Sequence, residues 1–142
     1  MKIEKDYEIR ATSSKVWALI SNTKKFGECV PYVESSETIN PKHVKLRVRP
    51  AFAFLKGKID MDWKVTALKK NEGKLKIEGK LIGGGFTVLT TLKAKAKGKN
   101  TVLNWKADAT MKGVLRPIPT SLIQGAATIL ADKMFACVEA KV

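Results

Sequence analysis

The chain is poor in histidine, cysteine and carboxylates, and each shortage removes a class of function. Its 142 residues include one histidine, His43, and two cysteines, Cys29 and Cys137. A His/Cys metal centre draws on three or four such ligands, so none is expected. The cysteines have neither CxxC spacing nor the count of a disulfide framework. Two reduced thiols are expected, with a structural disulfide as the alternative. No uninterrupted run approaches the ~18 apolar residues of a membrane span. The start, Met1-Lys2-Ile3-Glu4-Lys5-Asp6, alternates like a strand and lacks the apolar stretch of a signal peptide. A cytoplasmic location is expected.

Catalytic motifs are missing as well. His43 begins a strand-like segment with no nucleophile elbow near it. Gly83-Gly84-Gly85 lacks the Lys-Ser/Thr of a phosphate loop and leads into a strand, so it reads as a turn. Asp60 and Asp62 share the wet face of a strand with Lys58 and Lys64, the pattern of a charge ladder. No residue takes a catalytic role, no cofactor is implied, and a non-enzyme is expected.

Against 13 Asp and Glu stand 27 Lys and Arg, a net charge of +14. Only four of the cations are arginines: Arg10, Arg47, Arg49 and Arg116. Base readout and bidentate phosphate clamps favour arginine, so nucleic acid is not the expected partner. The lysines read first as a solvated surface, with an anionic membrane or an acidic protein as alternatives.

What the chain does have is alternation. Val44-Lys45-Leu46-Arg47-Val48-Arg49 and Lys58-Ile59-Asp60-Met61-Asp62-Trp63-Lys64-Val65 put apolar residues in and charges out, the mark of an antiparallel sheet wet on one face. Seven strands are predicted: 2–10, 32–39, 43–51, one from Lys56-Gly57 to 68, 74–82, 86–97 and 101–111. Thr12-Ser13-Ser14 caps a helix carrying Val16, Leu19 and Ile20 on one side, Asn22 ends it, and a second helical turn runs to Glu28. Pro119 opens a last helix to Val142, with Ile123, Ala127, Leu130, Met134 and Cys137 in a stripe that Ala126, Ile129, Ala131 and Val138 widen. The fold class is α+β: a seven-stranded antiparallel sheet around a long C-terminal helix, two short helices after the first strand, one domain over 1–142.

The inward positions give the candidate site. Met61 and Trp63 share a strand face, as do Leu75 and Ile77, and Leu103, Trp105, Ala107 and Met111; Leu92, Ala94 and Ala96 do so on the strand between. Thr90 falls on the face of Leu92. The helix faces them with Ile123, Ala127, Leu130 and Met134 around Gly125-Ala126-Ala127. Large aromatics alternate with alanine, whereas a filled helix–sheet interface prefers Val, Ile and Leu throughout. Small side chains on both sides permit either close approach or an apolar cavity for a ligand.

Val16-Trp17-Ala18-Leu19-Ile20-Ser21-Asn22 and Phe26-Gly27-Glu28-Cys29-Val30-Pro31 resemble the carbon monoxide dehydrogenase CoxG family. The element order is similar to the helix-grip fold of the START and polyketide-cyclase (SRPBCC) superfamily to which that family belongs. Gly57 and Met111-Lys112-Gly113 agree with it. Tyr32 departs from the glycine that commonly follows the proline, and the chain stops at Val142 where some members continue into a membrane-directed tail. The resemblance implies a cavity for a hydrophobic small molecule, a lipid or quinone, and an accessory role beside a molybdenum dehydrogenase at the inner membrane face. A cyclase or hydratase using the same cavity is the alternative.

Overall fold

A computed structural model describes residues 1–50, 52–55 and 57–142. The elements follow in the order β1 (Lys2–Ile9), α1 (Ser13–Ile20), α2 (Thr23–Gly27), β2 (Val33–Asn40), β3 (His43–Val48), β4 (Ile59–Lys69), β5 (Glu72–Leu81), β6 (Gly84–Lys97), β7 (Asn100–Gly113) and α3 (Thr120–Lys141). All seven strands form one antiparallel sheet in the order β1-β7-β6-β5-β4-β3-β2. The expected architecture is therefore present. The strand end expected at Ala51 and the turn residue Lys56 lie outside the described residues.

Local chemistry sets most boundaries. The Thr12 hydroxyl accepts from the Lys15 amide and starts α1. Asn22, expected to end α1, instead caps α2, its side-chain oxygen accepting from the Lys25 amide. Ser21 closes α1, its amide donating to the Trp17 carbonyl while the Asn22 amide donates to that of Leu19.

α3 lies over the inner sheet face and buries Ile123, Ala126, Ala131, Phe135 and Val138. Of these, Ile123, Ala126, Ala131 and Val138 belong to the expected face and Phe135 does not. Ala127, Leu130, Met134 and Cys137 are half-buried at its border, and Ile129, also expected there, is exposed. α3, though interrupted by polar and charged residues, is long and apolar enough on average to cross a bilayer by length and composition alone. Gly125 points to open space, with nothing within 4 Å of where a Cβ would stand. Gly125→Ala is therefore expected to stabilise the protein by roughly 0.5–1 kcal/mol, through helix propensity and a less flexible unfolded chain, read as a rise in melting temperature.

Ion pairs fasten the helix to the sheet edge. Lys5 Nζ and Tyr7 Oη both donate to Asp132 Oδ1, at 2.8 and 2.6 Å, and Arg10 holds Glu139 through its backbone and guanidinium. Lys5 foremost, then Tyr7, keep the Asp132 carboxyl below its ordinary pKa. The Arg10 amide and guanidinium do the same for Glu139. Both carboxylates stabilise the fold only when ionised, so their contribution is present above about pH 4 and is lost as pH falls through the lowered native values. Tyr7 has the opposite sign. Burial first, then Asp132, raises its phenol above the ordinary tyrosine range, so its contribution holds below about pH 10 and fades in stronger base. Asp132→Asn should lower the melting temperature at pH 7 and narrow the wild-type gap between pH 7 and pH 3.

Candidate apolar ligand site

The inner sheet face is built in rows across strands. Met61, Gly79, Phe86 and Met111 stand side by side in register; Trp63, Ile77, Val88 and Ala109 form the next row; Leu75, Thr90, Ala107 and Ile3 the third. Facing them, α3 contributes Ile123, Ala126, Ala127, Leu130, Ala131, Met134 and Phe135, and the space between is a cavity of about 210 Å³. Alanine is the reason for the space: Ala107 and Ala109 below and Ala126, Ala127 and Ala131 above leave a gap that the flanking tryptophans and methionines do not close.

Eleven of the twelve residues read from the sequence as candidate ligand contacts lie on this wall: Met61, Trp63, Leu75, Ile77, Trp105, Ala107, Met111, Ile123, Ala127, Leu130 and Met134. Leu103 does not. It is fully buried, with Val16 and Val138, in the solid part of the core where α1 packs against β6 and β7. Ala96, also read as inward, is exposed at the end of β6.

Several wall residues are not among those twelve. Phe26 and Phe135 close the inner end, Phe26 meeting Trp63 edge-on at 5.8 Å between ring centres and Phe135 at 6.3 Å. Phe26 sits on the five-residue α2, too short for a periodic signal, and Phe135 stands one step off the predicted stripe. Phe86 lies over Gly79, where an added Cβ would come within 2.2 Å of its ring. Phe54 and Leu55 come from the β3–β4 connection. The sequence does carry a signal for these two: Pro50-Ala51-Phe52-Ala53-Phe54-Leu55 is an apolar run where loops are ordinarily polar.

Polar groups are few. Thr90, read as inward, is buried on the wall, and its hydroxyl makes no hydrogen bond among the described residues. The Trp63 indole N–H is buried without an acceptor among the described residues, and Trp63 separates this cavity from a smaller one of about 30 Å³ shared with Thr23. Among the described residues of the wall, Tyr32 is the one titratable side chain. It sits at the rim, 37% exposed, accepting a hydrogen bond from Lys133 Nζ at 3.1 Å. Its φ of 64° is left-handed, a conformation glycine adopts freely and a β-carbon disfavours. Tyrosine in place of the common glycine thus keeps a glycine-type backbone and adds a side chain to the cavity rim.

The reduced thiols expected of Cys29 and Cys137 are corrected: the two form a disulfide, with Cα atoms 5.5 Å apart. A separation of 108 residues hides the contact, since spacing speaks only to local pairing. The bond joins the segment Cys29–Tyr32, whose Val30, Pro31 and Tyr32 line the cavity, to α3 opposite. On the outer sheet face His43 Nε2 lies 2.7 Å from Asp62 Oδ1, and Arg47 clamps Asp60. Both carboxylates are paired across strands, which makes the expected charge ladder concrete.

The family model described as carbon monoxide dehydrogenase CoxG matches residues 6–142. No curated protein matches the chain. Among solved structures, a conserved protein from Geobacillus kaustophilus is similar at 21% identity and a TM-score of 0.91, over 99% of this chain and 94% of that one. A START superfamily protein from Mycobacterium smegmatis has 13% identity and a TM-score of 0.74, over 99% and 96%. The Zhui aromatase/cyclase from Streptomyces sp. R1128 has 12% and 0.77, over 99% and 92%. At these identities the likeness establishes the START-like fold and nothing finer.

Proposed function

Because the chain belongs to the carbon monoxide dehydrogenase CoxG family, we propose that it is a non-enzymatic carrier for a hydrophobic small molecule held between the sheet and α3. The observation that carries this reading is the 210 Å³ space walled almost wholly by hydrocarbon and aromatic side chains. A ligand there gains roughly 25 cal/mol for each Å² of apolar surface taken from water. The Thr90 hydroxyl on the wall makes no hydrogen bond among the described residues, and it favours a ligand with an apolar body and an oxygen acceptor, as in a quinone or a lipid carbonyl. The family name supports a place beside a molybdenum dehydrogenase, with this domain delivering or removing the dehydrogenase's apolar redox partner.

The cyclase reading draws on the Zhui likeness in fold. Tyr32 alone could serve it as a proton-transferring group on the wall, and its tie to Lys133 at the rim favours a structural part. Native mass spectrometry and solvent extraction of the purified protein test the carrier reading. A bound lipid or quinone released by denaturation is the expected result. Protein that emerges empty and takes up no isoprenoid quinone or fatty acid on incubation would refute it.

A further inference from the structure

The strand register brings three connections to one end of the sheet. Val48 pairs with Ile59, Leu81 with Gly84, and Gly84 with Gly113. The β3–β4, β5–β6 and β7–α3 segments therefore leave the sheet side by side, and they also give Pro50, Phe54, Leu55 and Leu115 to the cavity wall. This tip is unusual in two independent ways.

First, it exposes large apolar side chains where turns are ordinarily polar. Ile82, at the point of the β5–β6 hairpin, is 97% exposed, and Val114 after β7 and Leu122 in the first turn of α3 are about half exposed. Val114 packs on Gly83, its amide donating to the Gly83 carbonyl at 3.0 Å, so hairpin and β7–α3 segment form one surface. At the opposite end the β4–β5 and β6–β7 hairpins turn through the polar Lys70-Asn71 and Gly98-Lys99. The exposed apolar residues there, Ile39 and Leu68 at 45% and 46%, lie on the flanking strands instead of at a turn's point and are far less exposed than Ile82.

Second, the tip has cations and no carboxylates. Neither Asp nor Glu occurs at 49–59, 79–107 or 109–131. Lys58, Lys80, Lys112 and Arg116 are exposed there, and none is in an ion pair among the described residues. The nearest acids, Asp60 and Glu34, are already held by Arg47 and Arg49.

We propose that this tip docks on an anionic phospholipid bilayer. Ile82, Val114 and Leu122 would enter the boundary between headgroups and acyl chains, and the four cations would sit at the level of the lipid phosphates. Apolar side chains with cations and no acids suit that surface, whereas an acidic protein partner would use the cations and leave Ile82 in water. The dock also brings the cavity-lining residues Pro50, Phe54, Leu55 and Leu115 close to the phase in which an apolar ligand dissolves. It extends the carrier reading, yet lipid affinity is measured on the protein without any ligand, so either can fail alone.

The test is sedimentation of the full chain with vesicles of phosphatidylcholine, with and without phosphatidylglycerol. Binding is expected only to the anionic vesicles and should weaken with salt. Lys80→Gln with Lys112→Gln should cost about fivefold in partitioning for each charge removed. Lys70→Gln with Lys99→Gln, at the far end and with the same change in net charge, should cost far less. Ile82→Asp should weaken binding further, and its nearly full exposure leaves folding intact, as circular dichroism would verify. Equal losses from the two lysine pairs would overturn the proposal, because net charge would then suffice. So would retention on an acidic protein with none on vesicles.

Discussion

Reduction of the Cys29–Cys137 bond is expected to cost this protein most of its stability. The bond closes a loop with a sequence separation of 108, and cross-linking so long a loop removes unfolded-state entropy worth about 4–5 kcal/mol in the chain-entropy model, with measured losses of about 2–5 kcal/mol. That is comparable with the whole stability of many domains, about 5–15 kcal/mol. Cys137→Ala, or incubation with a thiol reductant, should therefore lower the urea midpoint sharply and raise the slope with denaturant, because the unfolded chain without the cross-link exposes more surface. A fall below about 1 kcal/mol would show that the core alone holds α3 in place. The bond also bears on location. Disulfides persist in oxidising compartments, or in the intracellular proteins of hyperthermophiles. Thiol titration of protein taken directly from cells separates the reduced form from the bonded form.

Ala127→Trp is expected to abolish uptake of an apolar probe while leaving the fold in place. Ala127 faces the cavity from α3, and a larger side chain there occupies space that a ligand would use. Displacing about 100 Å² of ligand contact costs roughly 2.5 kcal/mol, close to a hundredfold in affinity. In a filled core the same substitution would overpack and cost about 1–3 kcal/mol of stability. The two readings of alanine, close packing or open space, thus give opposite signatures. Lost binding of N-phenyl-1-naphthylamine with little change in melting temperature marks a usable cavity. A large drop in melting temperature with probe binding unchanged would remove the cavity from consideration. Ala109→Phe, from the sheet side, should repeat the result.

Much of this molecule is legible in the order of its residues. Period two in Val44–Arg49 and Lys58–Val65 reports which side of a strand meets water, and hairpins keep that reading local, so strand number, faces and the closing helix follow from the sequence. The candidate wall follows too, because alternation fixes which residues share a face. Leu103 shows the limit: a face is not a depth, and only the position of α1 decides that this end of β7 is filled while Trp105 borders space.

The tertiary structure decided what depends on distant pairs. Cys29 meets Cys137 because α2 leads into a wall segment that α3 crosses. Phe26, Phe54 and Phe135 converge from a short helix, a connection and a helix face, none of which carries a periodic signal for the site. Tyr32 occupies a left-handed turn that its residue type does not announce. Whether alanine means contact or void is undecidable from the chain alone, since an alanine looks the same against a neighbouring backbone and beside empty volume. The space between sheet and α3, bordered by Trp63, Trp105, Met61 and Met111, exists only in three dimensions.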